Sequence, residues 1–331
     1  MYNIGIDAMG GDNGIDFCID AIISSLKKHD DLKFTIFGSE NEIRACFKSK
    51  SFLGNNIEII DCSEKIEMND HPVFAIREKT NSSIVKASNA LKNSEIDAFI
   101  SAGSTGALIA IAQFVLKPIA GIDRPVLGAI IPTNKTPMLL IDSGCNVDSK
   151  PAWLYQYAKL SNTYYKLMFD KKEPTIGLLS VGTEENKGNN LTLETYKLIK
   201  EDATLNFIGN VEARDLMYGV SDIVVTDGFA GNVFLKTYEG TATLILKLLK
   251  DGIKSSFVSM LGGLLIKPKL KSILSKYDAT VYGGAPILGT NALVIKIHGN
   301  SKTGEYISSI NQTKTLLSKN LIQNLKNSFW G

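Results

Sequence analysis

The sequence predicts a wound α/β sheet, mostly parallel, with helices covering both faces. Three observations lead there. Short apolar runs rich in β-branched residues alternate with stretches whose apolar residues recur at helical spacing, the pattern of strands joined by crossover helices. The strand-to-helix junctions also repeat: residues 6–12, 100–106, 140–146, 177–182 and 222–236 each pass from an apolar run into a turn of small and polar residues. Finally, 331 residues, 44% hydrophobic and 21% charged, suit one large α/β unit or two intimately joined lobes.

Stretch 222–236 is the clearest junction. A strand buried on both faces turns through Asp227-Gly228 and Gly231-Asn232, and a helix resumes from about Val233. Glycines there let backbone N–H groups approach a ligand, and the helix N-terminus favours an anion. The plain alternative is a turn with an Asp cap.

Taken in order, residues 2–7, 32–38 and 57–61 read as strands separated by helical patterns, the first of them 15–28. A polar segment with Met68, Pro72, Arg77 and Lys79 precedes a helix at 82–93 and a strand at 97–101. Residues 105–114 form a small-residue, buried helix. Strands 126–131 and 138–142 follow, joined by the 132–137 turn. Helix 152–169 carries Trp153, Tyr157, Tyr164 and Tyr165, for either a dimer contact or ordinary core. Strands at 175–180, 205–208, 223–226 and 293–298 come next, and a helix from about 311 to 329 closes the unit.

Residues 241–276 stand apart as an amphipathic helical protrusion. They hold seven lysines against one acid, Asp251. Leu248, Leu249 and Ile253 lie on one helical stripe, and Phe257, Leu261, Leu264 and Leu265 follow in an apolar stretch. Either two helices pack on a neighbour with a solvated basic face, or the apolar tip enters a lipid interface while lysines meet anionic headgroups.

Several chemistries are excluded. A net charge of +2 and no binding motif argue against nucleic acid. Residues 10–14 do not fit the dinucleotide fingerprint, and there is no nucleotide P-loop. The three histidines, His29, His71 and His298, form no metal-ligand pair. Ser104 lacks the glycine of a nucleophile elbow and an assignable histidine. Cys145 has no base and reads as a small filler; Cys18, Cys46 and Cys62 read as free thiols of a reducing cytoplasm. The N-terminus enters a strand at once, so export is not expected. No apolar run approaches the ~20 residues needed to span a bilayer.

What remains is a set of polar glycine turns and one unusual lysine, in G-T-E-E-N-K-G-N (182–189). Lys187 is either part of a solvated helix start or a point charge for phosphate, steered by Glu184 or Glu185. Such a site suits chemistry in which the anion attacks and the protein supplies position and charge stabilisation.

These segments together resemble the PlsX family of phosphate acyltransferases. The matching pieces are I-D-A-M-G-G-D (6–12), R-E-K-T-N-S-S (77–83), S-A-G-S-T-G-A (101–107) and R-P (124–125). They continue with D-S-G-C-N-V-D (142–148), G-T-E-E-N-K-G-N (182–189), G-N-V-E-A-R-D (209–215) and D-I-V-V-T-D-G-F-A-G-N-V (222–233). Y-G-G-A-P-I-L-G (282–289) and H-G (298–299) complete the series, which covers nearly the whole chain in order. Ser104, Cys145 and Ala213 depart from the residues usual there: Asn, Ala and Gly.

The resemblance implies a single domain, an α/β/α sandwich like those of phosphate acetyltransferases and isocitrate- or isopropylmalate-dehydrogenase-like enzymes. It also implies a cytoplasmic, peripherally membrane-associated homodimer that needs no cofactor. The dimer would take a long acyl chain from acyl carrier protein to inorganic phosphate and feed acyl-phosphate to a membrane glycerol-3-phosphate acyltransferase. The lysines of 241–276 could also steer the acidic carrier. Lys187, Asp227 and Asn232 are the catalytic candidates. Asp227 would orient Lys187 or a phosphate proton, or only cap its helix; Asn232, Asn189 or a backbone N–H would polarise the thioester carbonyl. Gly10, Gly11, Gly228 and Gly231 are expected at the phosphate, and Arg77 and Arg214 at the phosphate or the pantetheine phosphodiester, or else in surface ion pairs. Asp12, Gly103, Thr105, Asn146 and Asn210 complete the substrate-binding set. A short-chain enzyme using coenzyme A and a non-catalytic membrane scaffold are the rival readings.

Asp7, Asp12, Asp142, Asp148 and Asp227 all fall at sheet edges and are read as structural, so no essential metal is expected. Exhaustive chelation should leave acyl-phosphate formation intact; loss of activity with recovery on adding Mg²⁺ would overturn this.

Overall fold

The computed structural model describes residues 1–52 and 54–330, and in it strands and helices alternate. The chain begins β1 (Tyr2–Asp7), α1 (Asp16–Leu26), β2 (Leu32–Gly38), α2 (Glu40–Ser49) and β3 (Ile57–Asp61). Next are α3 (Pro72–Glu78), α4 (Ser83–Lys92), β4 (Ala98–Ser101), α5 (Thr105–Phe114), β5 (Val126–Ile131) and β6 (Met138–Ile141). Then come α6 (Pro151–Phe169), β7 (Ile176–Ser180), α7 (Asn190–Glu201), β8 (Phe207–Glu212) and β9 (Ile223–Val225). The last are α8 (Gly228–Lys254), α9 (Phe257–Leu274), β10 (Ala285–Leu288), β11 (Leu293–Lys296), α10 (Thr303–Ser318) and α11 (Leu321–Trp330).

All the strands join one sheet in the order β3-β2-β1-β4-β11-β10-β5-β6-β9-β7-β8. Pairing is parallel except along β11-β10-β5-β6, where each neighbour is antiparallel. Side-chain alternation covers both faces, as period-two geometry requires. In β4, Ala98 and Ile100 enter one core while Phe99 enters another. The first core is closed by α1, α2, α6, α7, α10 and α11; the opposite face is closed by α3, α4 and α5 on one half. On the other half, Phe234, Leu235 and Tyr238 of α8 cover Met138, Leu140 and Val224.

Five elements differ from the sequence reading, among them α3, a helix with Pro72 in its first turn where a polar segment was read. β10 was not anticipated, because its four residues stand between glycines and contain Pro286. α8 starts at Gly228, five residues before Val233, because the Asp227 side chain caps it and both glycines lie in its first turn. The strand read at 205–208 begins only at Phe207, after a turn in which Leu205 N donates to Asp202 O. The closing helix is two helices, broken where Asn320 takes a φ of 51°. The α6 aromatics are core: Tyr157, Tyr164 and Tyr165 are buried. Gln312 Nε2 donates to Tyr164 Oη at 2.9 Å, and Tyr165 Oη donates to Pro137 O at 2.6 Å.

One buried carboxylate ties the start of β9 to its surroundings. Asp222 accepts from Lys171 Nζ at 2.7 Å, from Thr175 N at 2.7 Å and Thr175 Oγ1 at 2.8 Å, and from Thr136 Oγ1 at 3.2 Å. Burial opposes its ionisation, but the Lys171 and Thr175 hydrogen bonds outweigh burial and hold its pKa below the ordinary 3.8. Removing the carboxylate (Asp222→Ala) should cost about 3 kcal/mol in urea unfolding at pH 7. Because the folded-state pKa is depressed, this stabilisation is present above pH 3.8 and lost as pH falls below it. The gap between wild type and variant should therefore close in acid.

Candidate active site

Strand direction decides where the glycine turns emerge. β1, β2, β3, β4, β11 and β5 run one way, and β10, β6, β9, β7 and β8 run the other. The turns after β1, β4 and β11 therefore share one sheet edge, and those after β6, β9 and β7 share the opposite edge. The central strands β6, β10 and β11 have four residues each, which puts the edges roughly 13 Å apart. The turns thus emerge in two groups, at opposite edges of the sheet. The hairpin from β5 to β6 reverses the chain, a turn of direction that the expected mostly parallel sheet did not locate.

At the first edge Asp7 is fully buried. Its Oδ1 accepts from Met9 N and Gly10 N, both at 3.0 Å, and its Oδ2 accepts from Ser101 Oγ at 2.6 Å. Ser101 Oγ in turn accepts from Gly103 N at 3.0 Å. A Cβ on Gly10 would stand 2.8 Å from Gly103 Cα, so the two turns meet backbone to backbone. Gly11 faces the Tyr306 hydroxyl, and the exposed Asp12 donates its N–H to Gly299 O at 2.7 Å. Ser104 caps α5, accepting from Ala107 N, and Thr105 opens that helix. Lys296 reaches the same place: its ammonium donates to Ala102 O at 3.4 Å and to Ile297 O. Burial pushes its pKa down to about 8, against the opposing pull of Asp7, Glu305 and Asp12.

At the second edge Asp142 is fully buried and gathers its own turn. It accepts from Gly144 N at 2.9 Å, Cys145 N at 2.7 Å, Asn146 N at 2.8 Å and Asn146 Nδ2 at 3.0 Å. Burial nevertheless pushes its pKa up to about 6. The start of α8 seats on this turn: Gly228 N donates to Asn146 O at 2.9 Å, and Gly231 lies against the Asp142 carbonyl. A Cβ at Gly228 would come within 2.8 Å of Asn146 N. Asp227 is the N-cap of α8, accepting from Ala230 N at 2.9 Å. Asn232 is exposed, lies over Gly144 and has no hydrogen-bond partner among the described residues. Asn146 Nδ2 also donates to Pro125 O at 3.0 Å. Burial raises the Cys145 thiol well above its ordinary pKa, which fits a filler and not a nucleophile.

Lys187 lies on the loop after β7, on the edge of Asp142 and α8. It is exposed and forms no ion pair among the described residues. The expected partner Glu185 instead pairs with Lys200 at 2.8 Å, while Glu184 and Lys187 both border Gly182. Asn210 Nδ2 ties the loop to β8 through Glu184 O at 2.8 Å, and Asn189 caps α7 in a reciprocal bond with Thr192. Arg214, 76% exposed, pairs with its neighbours Glu212 and Asp215. Arg77 is exposed on α3. Among the described residues no group of His, Cys, Asp and Glu is arranged to hold a metal ion.

Beyond the sheet, α8 and α9 form the protrusion expected at 241–276. Phe257 is 75% exposed, Leu264 66% and Leu265 82%; Leu248, Leu249 and Leu261 are exposed as well. Ile253 differs, because it packs inward where Gly263 lets the helices approach. An apolar cavity of about 1250 Å³ opens between the helices, with Met217, Tyr238, Ile245, Leu264 and Tyr277 among its walls. No described helix is long and apolar enough to cross a membrane. The sequence reading passed over Lys296, whose one signal is a lysine closing an otherwise apolar central strand.

A family model described as "Fatty acid synthesis protein" matches residues 2–324. The "Phosphate acyltransferase" of Clostridium botulinum is 44% identical over 327 residues, covering 98% of each chain. That of Caldicellulosiruptor bescii is 47% identical over 323 residues, covering 98% of this chain and 97% of its own. Among solved structures, a phosphotransacetylase from Streptococcus pyogenes superposes with a TM-score of 0.62 at 16% identity, over 96% of this chain and 94% of its own. The EutD phosphotransacetylase from Staphylococcus aureus gives 0.60 at 16%, over 95% and 94%. Identity this low speaks for the fold alone, and the fold is the sandwich expected.

Asp142 should titrate with a midpoint near 6 in carboxyl ¹³C NMR, and not near 3.8. Its pKa is raised, so its ionisation should weaken the fold as pH climbs through that interval.

Proposed function

The chain belongs to the fatty acid synthesis protein family, that of the phosphate acyltransferases, and on that premise we propose that it transfers a long fatty acyl group from acyl carrier protein to inorganic phosphate. The observation that carries this is identity of 44–47% to phosphate acyltransferases over almost the full length of both chains. A phosphate oxygen attacks the thioester carbonyl carbon, the C–S bond breaks, and the phosphate proton passes to the departing thiolate. Acyl-phosphate and the free carrier thiol result, and no acyl-enzyme is formed.

The reaction centre in this reading is the second edge. Lys187 offers an unpaired ammonium, the first-turn amides of α8 offer donors at a helix N-terminus, and Asn232 offers a free carboxamide. Lys187 neutralises the attacking phosphate, and Asn232 stabilises charge developing on the carbonyl oxygen. Asp227 acts by fixing the start of α8, since capping already engages one of its oxygens. Gly10, Gly11, Asp12, Gly103 and Thr105, at the far edge, serve a different part of the substrate.

The exposed apolar end of α8 and α9, flanked by lysines, supports a peripheral stance on an anionic membrane from the cytoplasmic side. Acyl-phosphate would leave there toward a membrane glycerol-3-phosphate acyltransferase. A second copy of the chain completes the assembly.

Lys187→Ala should lower kcat/KM for acyl-phosphate formation by at least about 100-fold, since one donor to developing charge is worth that much. Thermal stability should stay unchanged because the side chain is exposed. A variant with normal turnover would remove Lys187 from the chemistry. Replacing Leu261, Leu264 and Leu265 with Asp should abolish sedimentation with vesicles containing anionic lipid while transfer to soluble phosphate continues. Undiminished sedimentation would place the membrane contact elsewhere.

A further inference from the structure

The helices α8 and α9 do not close on each other along their length. They meet where Gly263 admits the side chain of Ile253. Beside that crossing two apolar hollows remain, one of about 1250 Å³ and one of about 530 Å³. Helices at the usual separation of roughly 8–10 Å leave no such room.

The two hollows differ in chemistry. The smaller is walled by α8 and α9 alone, and no charged side chain among the described residues lines it. The larger is rooted in the body of the protein. Met217 and Tyr277 form its end nearest the sheet, and Tyr277 Oη donates to Asn134 Oδ1 at 3.4 Å, which ties that end to the β5–β6 hairpin. Tyr238, stacked on Phe234 at 6.5 Å, begins its α8 wall, which continues through Ala242 and Ile245 to Ile253. That wall is roughly 22 Å long. It prolongs the stripe by which Phe234 and Tyr238 cover the sheet. Three lysines, Lys254, Lys267 and Lys271, also stand in the wall of this hollow, against one acid, Asp278. The Asp278 Oδ1 already accepts from Thr280 N at 3.0 Å and Thr280 Oγ1 at 2.6 Å.

A long apolar slot edged by ammonium groups matches a slender hydrocarbon chain with an anionic head. A second copy of the chain seated there would have to desolvate three lysines. An uncharged chain would leave them unmatched. The smaller hollow sets neither condition and suits a second copy or the membrane itself.

We infer that the larger hollow holds the hydrocarbon chain of the fatty acyl-phosphate, with its phosphate against Lys254, Lys267 and Lys271. The inference rests on the proposed transfer for the identity of its ligand. The slot lies between the sheet and the exposed tip of Phe257 and Leu265, so the chain stays out of water on its way to the lipid surface.

The test is equilibrium titration of the full chain, without turnover, with hexadecyl phosphate and octyl phosphate below their aggregation thresholds. Hexadecyl phosphate should bind at least about 100-fold more tightly, because each added methylene leaves water. Ala242→Trp fills the slot from α8 and should weaken hexadecyl phosphate at least about tenfold. It should leave the unfolding midpoint unchanged, since the new side chain enters open space. Leu265→Trp, outside the slot, should alter binding by less than about twofold. Replacing Lys254, Lys267 and Lys271 with Gln should weaken hexadecyl phosphate about tenfold and leave hexadecanol unaffected. Equal affinity for the two chain lengths overturns the inference. So does hexadecyl phosphate binding that survives Ala242→Trp, or that falls as far with Leu265→Trp. If Ala242→Trp splits two copies into one in solution and leaves the titration unchanged, the slot is the seat of the second copy and the inference falls. The titration needs no reaction, so failure of the transfer reading would show separately, as absence of acyl-phosphate when the unmodified protein is given acyl carrier protein and phosphate.

Discussion

Two buried carboxylates, each closing a strand and gathering the amides of the turn that follows, hold this structure's functional edges in place. Asp7 binds the amides of Met9 and Gly10 and links them through Ser101 to the turn after β4. Asp142 binds three successive amides and gives α8 its seat. A carboxylate taken out of water is tolerated only when its lone pairs are met by donors. Each turn is therefore rigid because its aspartate would otherwise be stranded. The glycines then follow as a necessity of space, since a Cβ at Gly10, Gly228 or Gly231 would run into the backbone of the facing turn.

The sheet divides at the β5–β6 hairpin into two lobes whose strands run in opposite senses, β10 being the one strand of the first lobe set against its neighbours. α8 is the element that crosses between their edges. It starts on the Asp142 turn and covers Met138 and Val224 with Phe234, Leu235 and Tyr238 before leaving the sheet. One helix thus joins the second group of turns to the apolar protrusion.

Much of this was legible in the sequence, for reasons that are local. Strand cores such as Ile4 to Ile6 or Leu139 to Ile141 are apolar on both faces, and the glycine turns announce themselves by composition. Seven lysines against one acid marked the protrusion. What was hidden depends on distant partners. The direction of β6 follows from a hairpin and not from periodicity, so the separation of Lys187 from Gly10 and Gly11 could not be read along the chain. β10 is four residues containing a proline, too short to carry a period. Ile253 sits on the same helical stripe as Leu249 yet turns inward, because Gly263 on the neighbouring helix leaves room. Lys296 looks like an ordinary strand end until β4 is placed beside it.

The unbroken length of α8 has a mechanical consequence. Its 27 residues make a rod roughly 40 Å long, pinned at one end where Gly231 rests on the Asp142 carbonyl and packed at the other only against α9. Whatever captures the α8–α9 end therefore acts on the sheet through a lever anchored beside Asn232.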